Sequence, residues 1–275
     1  MKKIQQIAFA ILISAIVSSA ALAGDYADLK FIGFSKNGKY LAFEETGEWE
    51  SSGGEYATTY YIDTVKNSFA AAPTVFSWMD NEPGHARLLA AYKKSILVKL
   101  RKFGIVGGNT GRLVVAHLLN DMSYVTPVLR EHYFFEDGKN EPIDKLVTDY
   151  EGAFIRRETT EIEKVIFNTG ISSFNHNTDE FYELTLIPSF IKSGGCTQFY
   201  TFEMTLKNNT EHRNHELQIL QKDGENPPKS RLCSFGYKIE QVYVYKGKIA
   251  VFLNLFSPGF EGPEMNYLAV TGEIK

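Results

Sequence analysis

His212 and His215, with Glu211 and Glu216 beside them, bring imidazoles and carboxylates together in the donor set that zinc and copper take. A spacing of three suits a helix or a loop, whereas on a strand it sends the two rings to opposite faces. The neighbouring Asn208-Asn209-Thr210 and Arg213-Asn214 read as a hairpin tip, so an exposed polar turn is favoured over a metal site. Glu261 and Glu264 flank the turn in Pro258–Pro263 and could act as general acid and base on a glycosidic bond, given a separation of about 5–9 Å. An exposed loop lacks the pocket that would raise one carboxyl pKa, so with Phe260 at its tip the segment reads better as an interaction loop. His117 and Asp121 could serve a serine nucleophile, yet no G-x-S-x-G context occurs, and a core histidine with a backbone partner is expected instead. The glycines from Gly104 to Gly111 invite a phosphate-loop reading. They follow a helix rather than opening one, and no Gly-Lys-Ser/Thr occurs, so a flexible turn is expected.

Those residues sit on elements that periodicity makes legible. Phe31–Ser35, Tyr40–Phe43 and Tyr60–Ile62 are strand-like, with Asn37-Gly38 expected as a type I′ turn and a further turn at Asp63; residues 24–78 form an antiparallel β-meander. Glu82 to Phe103 reads as one amphipathic helix, because Leu89, Tyr92, Ile96, Leu100 and Phe103 fall on a single stripe. Asp80 or Asn81 can cap its start, Pro83 suits its first turn, and Gly104 suits its stop. Lysines and arginines crowd its C-terminal half, where the helix dipole favours cations; a solvated face is expected there. From Arg112 onward the pattern is β again, and residues 112–275 are expected to form a larger C-terminal antiparallel sheet. Tyr182, Leu184 and Leu186, then Tyr200, Phe202, Met204 and Leu206, alternate as half-buried strands do. Ile249 to Phe256 is apolar on both faces apart from Asn254, which predicts a central strand covered on both sides. The fold class is therefore mainly β (α+β), in a single domain after residue 23.

The N-terminus carries an export signal over residues 1–23. Lys2 and Lys3 supply the positive end, Ile7 to Val17 the apolar run, and Ala21-Leu22-Ala23 the small-residue cleavage site. The run is too short for a membrane span of about 20 residues, and no later segment approaches one. The mature chain is expected to be periplasmic or secreted. Its formal charge moves from −4 to about −6 when the two lysines leave, which gives no concentrated basic face for nucleic acid. Cys196 and Cys233, both in the exported part, are expected to form one structural disulfide; their separation argues against a C-x-x-C metal or redox site. Closing that loop stabilises a fold by roughly 4 kcal/mol in the loop-entropy account.

Three stretches carry a resemblance. FIGFSKNGKYLAFEE (Phe31–Glu45), SRLCSFGYKIE (Ser230–Glu240) and the PGFEGPEMNYLAVTG part of Val251–Gly272 resemble a family of predicted secreted bacterial proteins known only as a domain of unknown function. The first also resembles a single β-propeller blade, but no second copy recurs at the spacing a propeller needs. The family resemblance spans nearly the whole mature chain. It implies an exported location and a single domain, and it carries no catalytic residue. The functional expectation is a non-enzymatic binding or scaffolding module without a cofactor, whose partner is an envelope protein or glycan. Its candidate contacts are Phe260, Glu261, Glu264 and Trp49, within an aromatic-rich β surface that includes Tyr56 and Tyr60. The alternatives are an envelope hydrolase acting on a sugar or ester and a metal-binding protein using His212 and His215.

Overall fold

The computed structural model describes residues 26–49, 53–79, 83–117, 162–169, 180–193, 196–209, 217–224, 231, 234, 236–258 and 263–274, without the side chains of 190–199, 258 and 263. The export signal, Asp121, His212, His215, Cys233, Phe260 and Glu261 lie outside the described residues, as does the side chain of Cys196. Described strands are β1 (Asp28–Phe34), β2 (Tyr40–Trp49), β3 (Gly54–Asp63), β4 (Ser68–Trp78), β5 (Arg112–Ala116) and β6 (Glu163–Asn168). They continue as β7 (Phe181–Ser193), β8 (Cys196–Asn208), β9 (Leu217–Lys222), β10 (Gly236–Tyr245), β11 (Lys248–Pro258) and β12 (Pro263–Glu273), with helix α1 (His85–Phe103) between β4 and β5. The strands make three four-stranded antiparallel sheets, ordered β1-β2-β3-β4, β12-β11-β10-β5 and β6-β7-β8-β9.

The layers follow from which strand faces are apolar. Ile249, Val251, Leu253 and Leu255 of β11 pack on Leu184, Leu186, Phe202 and Met204 of the β6–β9 sheet. Ala250 and Phe252, on the opposite face, meet Phe34, Leu41, Phe43 and Ile62 of the β1–β4 sheet. The expected central strand is therefore covered on both sides, and each large apolar side chain it buries is worth roughly 1.5–3 kcal/mol. The expected single C-terminal sheet is two sheets instead. Half-buried strands such as β7 and β8 need a second apolar layer, and β11 can supply one only by facing them across a sandwich. β5, just after the helix, joins this middle layer by pairing with β10 (Ala116 opposite Gln241).

The helix stripe packs as its spacing predicts. Tyr92 and Ile96 bury against Ala57 and Phe76, while Leu100 and Phe103 reach the Tyr61 and Tyr40 side of the same sheet. The helix begins at His85 rather than Glu82, after Gly84 in a left-handed conformation (φ 98°) and with no side-chain cap. Gly104 ends it as expected, its N–H reaching the Arg101 and Leu100 carbonyls. Lys99 is less free than a solvated face implies, since its ammonium donates to Ala72 O (2.8 Å) and Thr74 Oγ1 (2.9 Å). Among the described residues no helix is long and apolar enough to cross a membrane.

Two turns separate the expected from the found. Asn37 keeps a negative φ, and only Gly38 (φ 74°) is left-handed, so the β1–β2 link is not type I′. Asn37 works through its side chain, with Oδ1 accepting from Ser35 Oγ (2.8 Å) and Lys39 N–H (3.1 Å). The two-residue left-handed turn lies at Lys246-Gly247 (φ 48° and 70°), between β10 and β11.

Sheet edges are sealed by diverse means. The stretch after α1, expected to be flexible, is a strap along β1: Phe34 N–H donates to Asn109 O (2.7 Å), and Val106 and Gly108 N–H donate to Phe34 O (3.3 Å) and Ile32 O (3.0 Å). Gly33 permits this approach, because a Cβ there would lie 2.8 Å from Val106 O at a φ of 140°. On β12, Tyr267 N–H donates to Glu45 Oε2 and Thr271 N–H to Asn67 Oδ1, both at 2.8 Å. β4 carries Pro73 and register shifts opposite Thr59–Ile62. Such devices keep an edge from recruiting a foreign strand.

Candidate ligand-binding cleft

Helix α1 rests on the β3–β4 half of the first sheet and meets β2 near its C-terminal end, where Phe103 packs on Tyr40, so much of the β1–β2 face stays open. Between them runs a cleft of about 1030 Å³. Its floor is the outward-facing set of the meander, including Asp28, Lys30 and Ile32 of β1, Glu44 and Thr46 of β2 and Ala57 of β3. Leu89, Lys93, Ile96 and Leu97 of the helix form one wall, and Gly107 and Gly108 of the strap close one end.

The polar groups converge. The Tyr92 hydroxyl donates to Glu44 Oε1 (2.9 Å) and lies 2.8 Å from Thr59 Oγ1, while Lys30 Nζ reaches Glu44 Oε2 (3.2 Å). Burial first, then the Glu44 charge, raises the Tyr92 pKa, against the opposing hydrogen bond with Thr59; the phenol stays a neutral donor. Farther along, Glu48 stands opposite Glu55 on the neighbouring strand, a pairing of like charges that is costly unless something shares it. Glu55 contacts His85 Nε2, and the His85 ring lies edge-on to Trp78 at 4.6 Å. Asp28, Glu44, Glu48 and Glu55 thus face Lys30 and Lys93, which leaves the lining acidic. Among the described residues no group of three or more His, Cys, Asp or Glu side chains is placed to hold a metal ion.

Of the residues picked out from sequence, Trp49 stacks on Tyr56 at 5.4 Å, and Tyr56 lines the cleft. Gly47 allows that ring to lie across β2, since a Cβ there would be 2.5 Å from the Tyr56 hydroxyl. Glu264 pairs with Ser257 at the start of β12, one residue before Met265, whose carbonyl accepts Ala27 N–H (2.9 Å) near the cleft's Tyr26 end. His117 is not a core residue. Its side chain is 40% exposed at the end of an edge strand, and Nδ1 lies 3.2 Å from Glu163 Oε1, while only its backbone N–H finds a backbone partner, Glu240 O (2.7 Å). His117 and Glu264 stand on opposite edge strands of the middle sheet, so the fold does not bring these two hydrolase candidates together. Tyr92, Glu44, Glu55 and His85 escape sequence reasoning. Tyr92 looks like one more stripe residue, and the glutamates look like the solvated face of a strand.

A second polar cluster lies in the seam between the first and middle sheets. Glu45 is 5% exposed, and burial pushes its pKa up to about 7 despite the Tyr267 N–H bond. Nearby, buried Glu240 accepts from Gln241 Nε2 (3.0 Å) and Asn254 Nδ2, while Asn254 Oδ1 has no hydrogen-bond partner among the described residues.

These layers and this cleft define a mainly β protein, whose described residues form three stacked antiparallel sheets with one covering helix. The chain belongs to the family described as "Predicted secreted protein (DUF2259)", whose family model matches residues 42–273. Searches of curated proteins and of solved structures found no match.

Proposed function

We propose that the protein is an exported, non-enzymatic binding module, periplasmic or fully secreted, whose ligand occupies the cleft between α1 and the β1–β2 face. The observation that carries this reading is the half-covered outer face. A helix of this length could shield more of the sheet, yet the part it leaves open holds a walled space of about 1030 Å³ with convergent polar groups. The loop with Phe260 and Glu261, next to Glu264, is a second candidate surface in the same reading.

The test is a nuclear magnetic resonance screen of small molecules and short peptides against three proteins. These are wild type, a cleft-filled Thr46→Trp variant, and the Phe260→Ala, Glu261→Ala double variant. Ligand-induced shifts are expected on cleft residues and should vanish in Thr46→Trp alone. Shifts that persist in Thr46→Trp and vanish in the double variant would move the binding surface to the loop.

We also infer that Cys196 joins Cys233. Ser234, the residue after Cys233, lies beside β8, its carbonyl accepting Tyr200 N–H (2.8 Å) and its hydroxyl donating to Tyr200 O (3.1 Å). β8 begins with Cys196, and an exported chain favours oxidation. Alkylation of the denatured, unreduced protein should leave the mass unchanged, with two thiols appearing after reduction. Two thiols alkylated without reductant would rule the bridge out.

A further inference from the structure

Among the described residues, the outer edge of β1 is occupied at both ends and open between them. At the start, Ala27 N–H points outward to Met265 O; at the finish, Ile32 O and both backbone groups of Phe34 bond the strap. Counted from Ala27, strand groups alternate in direction until the bulge between Phe31 and Gly33 shifts the phase, so Leu29 and Phe31 also turn their N–H and C=O outward, and neither has a partner there among the described residues. The bare stretch, residues 28–31, spans roughly 13 Å. The cleft runs along it, since Tyr26, Asp28, Lys30, Gly107 and Gly108 all line that space.

Two other edges carry devices against strand pairing, Glu45 and Asn67 on β12 and Pro73 on β4, whereas the stretch beside the cleft carries none among the described residues. The strap shows that this edge accepts an added strand, because residues 106–109 already pair with it. A bound strand continuing that line would alternate its side chains, placing every second one on the cleft side beside Asp28 and Lys30, with Glu44 and Glu48 one strand farther within reach of a long basic side chain. Pairing of two copies through this edge would instead bring two acidic clefts together.

We propose that the free edge of β1 captures an extended, basic segment of a partner protein by strand addition, with the segment's basic side chains lying over the cleft carboxylates. This rests on the cleft being the binding site and names its ligand class. The backbone supplies affinity through hydrogen bonds, and the acidic floor selects charge.

The probe is a fluorescent acetylated hexapeptide of alternating lysine and valine, followed by anisotropy with the full exported protein at low salt. Saturable binding is expected, with the Leu29 and Phe31 amides protected from hydrogen exchange on binding. An alternating glutamate–valine peptide should not bind. N-methylation of alternate backbone nitrogens, which keeps every side chain, should weaken binding about tenfold or more. Equal binding of the N-methylated peptide would overturn strand addition and leave an acidic cleft that attracts cations. No peptide binding, with screened ligands still shifting cleft residues, would overturn this proposal and spare the cleft reading. Silence in both experiments would remove the two together. Concentration-dependent dimers in sedimentation, abolished by Leu29→Pro, would assign the edge to a second copy of the chain and overturn the proposal as well.

Discussion

Replacing Arg231 with alanine should destabilise the protein by about 3–5 kcal/mol. Its guanidinium makes a two-pronged bond with Asp223, both contacts at 2.7 Å, with side chains only 7% and 1% exposed. The Asp223 carboxylate also accepts Phe202 N–H (3.0 Å) and Gln221 Nε2 (2.9 Å), so it ties the end of β9 to β8. The guanidinium lies 5.4 Å from the centre of the Phe202 ring. Alanine would leave a buried carboxylate facing an aromatic ring and two dipoles, without its counter-charge. Urea unfolding followed by circular dichroism reads the effect as a lower midpoint at unchanged slope. Arg231→Lys should recover only part of the loss, because a single ammonium cannot match the planar fork. A shift under 1 kcal/mol for Arg231→Ala would show that water reaches Asp223 in the folded state.

Glu45→Gln should make the protein more stable than wild type at pH 8, with the advantage fading toward pH 4.5. Burial raises the Glu45 pKa from its ordinary 4.5 to about 7. Between those values the folded chain holds a proton that the unfolded chain has released. Stability from this group is therefore full below pH 4.5, falls as pH rises, and is lost above pH 7, by about 3 kcal/mol in all. Glutamine keeps an oxygen for Tyr267 N–H and does not titrate. Any fixed cost of burying the amide cancels when the difference between variant and wild type is compared across pH. Urea midpoints at pH 4.5, 6 and 8 supply that comparison. A difference that stays constant would mean that Glu45 titrates as an exposed carboxyl does.

Much of the scaffold can be read from residue order. The five-residue stripe of α1 and the two-sided β11 are local patterns with one satisfactory burial each, and both are found as read. Patterning says which face of a strand is apolar but not which sheet completes it. The alternation in β7 and β8 is equally consistent with one C-terminal sheet or two, and the pairing of β5 with β10 has no local signal. The cleft is harder still. It exists because α1 covers β3 and β4 and stops short of β1, a matter of packing rather than period. Its charged floor, Glu44 and Glu48, has the same sequence signature as any solvated strand face. Tyr92 does two jobs at once, apolar in its ring and polar at its tip, and only the first is visible in a helical stripe. The strap misleads for a related reason: its glycines look like slack, yet the segment is hydrogen-bonded along β1, and the glycine that lets the two backbones touch, Gly33, lies on β1 itself.

The middle sheet has a consequence for how the molecule comes into being. Three of its four strands, β10 to β12, follow β6–β9 in the order of described strands, and the fourth, β5, precedes them. Until they arrive, both outer sheets have greasy inner faces and nothing to press against. Long-range pairing of this kind forms slowly, because the loop must close before any contact rewards it. A chain cut before β10 should therefore keep neither outer sheet in folded form, since each buries its inner face on β11.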